Sequence, residues 1–598
     1  MSSPESVYYS PPSGYGVPDL VRDDQAEPCH LINLPNELLG HILSFLDPLD
    51  LAAVCQTCRT LNDHASADHI WQSIIQSHVP GNQVTSCYPC ATFKELYVCH
   101  DPHWFLTKYK IWFCGRNLTG KLIVVRYDQR RGCIEGYQML AVSNREHMLH
   151  TWPMDQEVVV HAFEPEVKLH LDKPALQLRA KTLENLVRRT ISLSLSSSPG
   201  PSGSGSGSSS AERYHSGHSS NRYMAETPML VTDNPDDTVF NNFLLARPLD
   251  DADAAKRSLI GFPYGNVWPP PDVPANHRVS SANFYTGEGM QLAPESRPAT
   301  RAEVSDQAFH IRTWMEMRQT HPPGGINFIP IPTMTDLPHD APNVHNQASA
   351  PWMRGFGPGP NTPGQPLHIG EEVNTYATLD PKLYTPTADK PWRGIWVGDY
   401  SGHGCEFLLV HQPDDDDDVE PFDESSMEQG SDETDEEFKR RKWEARVYRG
   451  KLEAIKLTGD PNVPRGECTF MAEDLGERGY VTTVKEEPFK GTRVVESMGH
   501  VAGTGFSNDK YIESQLLLIS PDRLAQYWVG FGHISFFERL TEKLCAAETD
   551  ALRGRGEAAS DWVKIISTLH NSGSGAGPGA EAGITELATE AGSFADPG

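Results

Sequence analysis

The sequence predicts an α+β fold: an N-terminal module of three short helices, then a large antiparallel β-barrel-like domain, with long disordered segments. Three observations predict it. Apolar residues recur at helical spacing from Leu31 to about His78. About a dozen short β-branched or aromatic runs, separated by turn residues, fill much of the remainder. Stretches rich in Gly, Pro, Ser or acid interrupt them, and these cannot bury enough apolar surface to pack.

The helical module is expected over 28–78. Pro35 suits a first helical turn, where its missing N–H costs nothing, and Glu37 sits near the positive helix start. Leu38, Leu39, Ile42, Leu43 and Leu46 form a wide apolar stripe. Asp47-Pro48 stops that helix and caps the next, where Leu51, Val54, Cys55 and Leu61 continue the apolar face. Asp68 opens a third helix with Ile70, Trp71, Ile74 and Ile75. So small a module buries little apolar surface alone, so part of the stripe either packs inward or faces a partner protein.

The β domain is expected in two parts, 100–180 and 391–545. The first holds the runs "KIWF", "KLIVVRYD", "CIEGYQML", "EVVVHAF" and "VKLHL", with a hairpin turn at Arg130 to Gly132. The second runs from "RGIWVGDY" through "WEARVYRGKLEAIKL" to "ISFFERL". Closing such strands into a barrel removes exposed edges. A disordered leader is expected at 1–27, a flexible linker at 190–260, an acidic disordered insertion at 412–438 and a disordered tail at 571–598. The Pro-rich stretch 261–390 is expected to be poorly regular, with one helix over Gln307 to Gln319.

Composition narrows the function. The chain of 598 residues has a formal net charge of −29, which repels phosphate backbones and anionic membranes. "KRRK" at Lys439 to Lys442 is too short a basic run to reverse this. No apolar run approaches the roughly 20 residues a membrane helix needs, and scattered cysteines imply a reducing compartment, cytoplasmic and/or nuclear. Cys55-x-x-Cys58 and Cys87-x-x-Cys90 resemble half-sites for zinc, but their separation is too long, and small buried thiols are the commoner use. Neither metal nor cofactor is expected. No phosphate-binding lysine loop, HExxH, nucleophile elbow or RING spacing occurs, so a non-catalytic role is expected.

The segment "LPNELLGHILSFLDPLDLAAVCQTCRTL…IW" resembles the F-box family in order and spacing. Cys58 replaces the usual second aromatic. The resemblance implies binding to a Skp-family adaptor and through it to a cullin–RING ubiquitin ligase. It makes Leu34, Pro35, Leu38, Ile42, Leu43 and Leu51 the candidate adaptor contacts.

Three later segments resemble the F-box-only proteins whose C-terminal domain binds cyclin D, and the chain looks like a fungal-type relative. They are "PWRGIWVGDYSGHGCEFLLV", "KLTGDPNVPRGECTF" and "GTGFSNDKYIESQLLLISPDRLAQYWVGFGHISFFERL". The resemblance implies a substrate-recognition subunit whose β domain reads a degron, of a cyclin-like or other protein substrate. Candidate substrate contacts are Tyr400, His403, Glu406, Asp460, Asn462 and Trp528. His403 and Glu406 either orient a ligand or satisfy the turn around them. Asp460 either accepts N–H donors from a bound peptide or closes an Asx-turn in its own loop. A barrel that binds a small molecule, or an F-box adaptor without a ligase role, are the alternatives.

Overall fold

The computed structural model describes residues between His30 and Thr541, without 81–82, 116–117, 144–148, 153–154, 162, 172, 186–221, 230–238, 259–266, 272, 276, 281–296, 318–366, 401–402 and 415–422. The expected leader at 1–27 and tail at 571–598 lie outside the described residues. The chain divides into two compact units, Met1–Trp71 and Gln72–Gly598.

In the first unit a 3-10 turn (His30–Asn33) precedes α1 (Asn36–Leu43), α2 (Pro48–Val54) and α3 (Arg59–Ala65), and α4 spans Asp68–His78. Pro35 is the N-cap of α1, and Pro48 follows the extended Asp47 to open α2. The expected middle helix is divided. Cys58 is extended, and its sulfur accepts the Leu61 N–H at 3.5 Å, which restarts the helix as α3. Leu39, Leu43, Leu51, Ala65, Ile70 and Trp71 are buried, and Trp71 Nε1 donates to Ala65 O at 2.8 Å.

The second unit adds helices α5 (Phe93–His100), α6 (Phe105–Tyr109), α7 (Asp251–Ser258) and α8 (Asp435–Val447). Its strands begin with β1 (Ile111–Cys114), β2 (Lys121–Asp128), β3 (Cys133–Ser143), β4 (Leu149–Trp152), β5 (Asp155–His161), β6 (Pro165–Leu169) and β7 (Leu176–Arg179). There follow β8 (Thr227–Met229), β9 (Val239–Leu245), β10 (Val267–Trp268), β11 (Val279–Ser280), β12 (Ala308–Met317) and β13 (Leu367–Ala377). Then come β14 (Gly394–Asp399), β15 (Cys405–His411), β16 (Leu452–Lys456), β17 (Cys468–Ala472) and β18 (Tyr480–Thr483). The last are β19 (Arg493–Gly503), β20 (Ser507–Ser520), β21 (Arg523–Trp528) and β22 (His533–Arg539).

These strands build two large sheets. One has nine strands in the order β6-β3-β2-β1-β13-β12-β9-β8, with β7 on β3. The expected turn at Arg130 to Gly132 joins β2 to β3. Gly132 there has φ +57°, and a Cβ on it would lie 2.2 Å from Pro89 Cδ, so only glycine fits. The other sheet runs β14-β15-β16-β17-β19-β20-β21-β22, and β22 pairs back to β14, which closes an antiparallel barrel. The strands β5 and β4 extend it beyond β22, and β18 pairs β19. Buried residues from every barrel strand, among them Trp396, Leu408, Ala454, Phe470, Val495, Leu516, Leu524 and Phe537, form its interior cluster.

Four expectations change. The helix expected over Gln307 to Gln319 is β12, held between β9 and β13. Both faces of its first half are covered, since Ala308 through Ile311 are all buried, so the two-residue alternation that marks a half-exposed strand is missing. The first half, 100–180, does not complete the barrel. Apart from β4 and β5 it forms the nine-stranded sheet with parts of 190–260 and 261–390, which therefore hold strands. The linker residues 186–221 lie outside the described residues. Last, the acidic insertion 412–438 runs into α8. Thr434 and Glu437 form a capping box, and Arg441 pairs with Glu433, so "WEARV" is helical and not a strand.

Candidate functional site

Helix α1 carries two apolar stripes. Leu39 and Leu43, one turn apart, point into the module core. Leu38 and Ile42, also one turn apart, point outward and are 52% and 43% exposed. Phe45 (76%) and Leu49 (74%) extend the outer stripe past the end of α1, and Leu31 and Ile32 are exposed before it. Leu34 is half-buried and Pro35 exposed. Leu43 and Leu51 are 3% and 0% exposed, which corrects their assignment as adaptor contacts: a side chain without accessible surface holds the module together. Phe45 and Leu49 escaped the sequence reading because they flank the Asp47-Pro48 break, Phe45 after the end of α1 and Leu49 in the first turn of α2. Apolar residues at a turn were the available signal.

In the barrel, the ends Asp399, Lys456, Gly503 and Trp528 meet the starts Cys405, Cys468, Ser507 and His533 at one mouth. The other end is covered by α8, whose Val447, Trp443 and the following Tyr448 join the interior cluster. At the first mouth a buried charge cluster forms. Lys456 Nζ lies 2.6 Å from Asp460 Oδ2 and 2.8 Å from Glu406 Oε2, and it sits 4.2 Å from the Tyr400 ring centroid. Lys456 follows Leu452 and Ala454 on the inner face of β16, so the strand period delivers it there. Tyr400 donates its hydroxyl to Thr469 Oγ1 at 2.9 Å.

The three charges differ in state. Burial pushes Asp460 up, but the Lys456 ammonium and the N–H groups of Val463 and Asn462 outweigh it, and the carboxyl ends below its usual range. Burial dominates at Glu406 and, with Asp460 beside it and against the pull of Lys456, raises it to about 8. No directed hydrogen bond reaches either Glu406 oxygen, so its contact with Lys456 is an ion-pair approach only. Burial thus favours the acid form at Glu406, while its neighbour Asp460 is held toward the carboxylate.

The structure brings Tyr400, Glu406 and Asp460 together and separates the others. Asp460 Oδ1 accepts Asn462 N–H at 2.6 Å and Val463 N–H at 2.8 Å, so the Asx-turn is formed and both oxygens are engaged. Asn462 Oδ1 accepts the Thr504 hydroxyl at 3.4 Å. His403 is exposed in the turn between β14 and β15, outside the cluster. Trp528 lines the barrel further round, with Nε1 donating to Ser535 Oγ at 3.2 Å and its ring against Gly499. Lys456 went unread because a charge inside a strand run looked like an outward residue. Among the described residues no group of three or more His, Cys, Asp or Glu is placed to hold a metal ion, and no helix is long and apolar enough to cross a membrane.

The family described as F-box-like matches residues 31–77, and the Cyclin D1 binding domain family matches 376–543. Among curated proteins, Protein EXECUTER 2, chloroplastic, of Arabidopsis thaliana is 28% identical over 164 residues, 27% of this chain and 22% of its own length. The Oryza sativa subsp. japonica protein of the same name is 28% identical over 103 residues, 17% of this chain and 16% of its own. Protein EXECUTER 1, chloroplastic, of Arabidopsis thaliana is 29% identical over 102 residues, 15% and 14% of the two chains. The chain thus spans less than a quarter of the length of these relatives. It carries a helical F-box-like domain at 31–77, and its eight-stranded antiparallel barrel lies within the segment that matches the Cyclin D1 binding domain.

Proposed function

We propose that this protein is the substrate-recognition subunit of a Skp–cullin–F-box ubiquitin ligase. The observation that carries the reading is the outward apolar stripe Leu38, Ile42, Phe45 and Leu49 on an F-box-like domain. Large apolar side chains held in water on a small module fit a partner's apolar groove. A Skp-family adaptor is that partner, and a cullin–RING ligase joins through it. The barrel mouth then receives a protein substrate, and a cyclin-like one is the first to try, given the family matched there. The subunit itself is non-catalytic and acts by positioning, holding a substrate lysine near the E2 thioester. Cytoplasm and nucleus are the compartments this role requires.

The test is co-purification of the full chain with a recombinant Skp-family adaptor. Wild type is expected to retain the adaptor, and Leu38→Asp/Ile42→Asp to lose it while keeping its helical circular dichroism. A wild-type chain that does not hold the adaptor, or a double variant that holds it equally, overturns the reading. Retention of the adaptor without the cullin points instead to an adaptor role outside a ligase.

A further inference from the structure

The loop from Thr458 to Gly466 is also bonded outside the barrel. Gly459 N–H donates to Thr119 O at 2.8 Å, and Arg465 N–H donates to Leu118 O at 2.7 Å. The Arg465 guanidinium, on a side chain 1% exposed, donates through Nη2 to Gly115 O at 2.7 Å, 350 residues away in sequence. It also lies 4.6 Å from the ring centroid of Trp268 on β10. All three carbonyls belong to the turn between β1 and β2 of the nine-stranded sheet, outside the matched domain that begins at residue 376.

The approach is close enough to exclude side chains. A Cβ on Gly459 would lie 2.2 Å from Arg465 N and 2.7 Å from Leu118 O. Gly120, at φ +65°, would place a Cβ 3.0 Å from Arg465 Cδ. At its other end the same loop builds the charge cluster. Asp460 Oδ1 is held by the N–H groups of Asn462 and Val463, both between Asp460 and Arg465 in the chain. Arg465 thus anchors the end of the same short loop whose N–H groups orient Asp460, which in turn pairs with Lys456 beside Glu406.

We propose that the barrel mouth is a composite site: Arg465, clamped by the β1–β2 turn and by Trp268, is a positioning residue that sets where Asp460 and Lys456 stand. The proposal rests on the reading of this mouth as the substrate-binding end. Arg465 touches no substrate in this scheme. It transmits the position of the second sheet to the mouth, so residues outside the Cyclin D1 binding domain decide how well the mouth binds. Arginine suits the task because its planar group can stack on an indole and donate in-plane at once, which an ammonium cannot.

The experiment uses the full chain in its adaptor complex, with purified cyclin D1 as probe, from about pH 6 to about pH 9, where Glu406 titrates. Cyclin D1 affinity, adaptor retention and thermal unfolding are measured for Arg465→Ala, Arg465→Lys and Gly120→Ala. Arg465→Ala is expected to weaken cyclin D1 binding about tenfold or more, to keep the adaptor, and to displace the inflection that Glu406 gives the pH profile of unfolding. Arg465→Lys restores part of the binding. Gly120→Ala, with Arg465 intact, changes the profile in the same direction. Lower stability with an unmoved inflection and unchanged cyclin D1 binding makes Arg465 a brace only and overturns the proposal. Where Arg465→Ala does not fold, Gly120→Ala decides by the same criteria. If wild type binds no cyclin D1, the substrate reading fails by itself. The positioning claim is then judged by the inflection alone and falls if both variants leave it in place.

Discussion

At Glu406 burial and charge oppose each other, and burial wins. The carboxyl is 3% exposed and has one cation close by, which another carboxylate already shares. Holding a carboxylate there without directed donors costs more than holding the acid. The pH consequence has a definite sign. Its folded pKa, about 8, lies above the usual 4.5, so between those values the folded chain binds the extra proton. Stability from this residue is full at low pH, falls as pH rises through that window, and levels off above it. Asp460 acts oppositely, since its lowered carboxyl loses its contribution only as pH falls below the usual range. Denaturant unfolding is therefore expected to show a downward slope in stability toward pH 8 that Glu406→Gln flattens. An unchanged slope in the variant means the titrating group lies elsewhere.

Helix α1 separates its core-facing stripe from its outward stripe by one residue of register. Leu39 and Leu43 face the core; Leu38 and Ile42, a residue earlier, face water. Leu43→Ala is expected to cost about 2–5 kcal/mol and to melt the module, because a small core cannot collapse around the cavity. Leu38→Asp is expected to change stability by less than about 0.5 kcal/mol, since an exposed side chain leaves no cavity. Thermal unfolding by circular dichroism separates the two. Equal losses would show that the outer stripe is also packed. The helix α8 follows a similar logic at its start, where Thr434 and Glu437 satisfy each other's backbone amides and so begin a helix directly after an acidic run.

Across the whole second unit the two sheets share one apolar core. Ile395, Val397, Leu409, Leu517 and Ile534 of the barrel pack in one cluster with Ile111, Phe113, Leu122 and Val124 of the nine-stranded sheet. Part of the barrel's outer face is thus apolar as well, because alternate residues along several strands serve the two cores. A fragment restricted to residues 376–543 leaves that outer face in water. Expressed alone, it is expected to aggregate or to lack the near-ultraviolet dichroism of packed aromatics, whereas one that also includes the chain from Gln72 folds. A soluble, cooperatively unfolding 376–543 fragment would show that the barrel's own core suffices.

Local pattern determined a good part of this protein. Spacing alone placed α1, α2 and α4 of the F-box-like domain, and turn-bounded β-branched runs marked β1 to β3, β14 to β16 and β19 to β22. The resemblance to the cyclin D-binding F-box-only proteins, not periodicity, singled out Tyr400, Glu406 and Asp460, which do meet. Tertiary structure alone decided the rest. Which leucines of α1 point outward depends on what covers the neighbouring turn. That β12 is a strand depends on its neighbours β9 and β13, which supply the backbone bonds a helix would have made internally. Pairing of β15 with β16 brings Lys456 between two carboxylates, and the β1–β2 turn, 350 residues from Arg465, helps hold the loop that carries Asp460. Periodicity reports which faces of a segment are apolar. It carries no record of which distant segment will cover them, and Glu406 beside Lys456 and the β1–β2 turn beside Arg465 are such distant pairings.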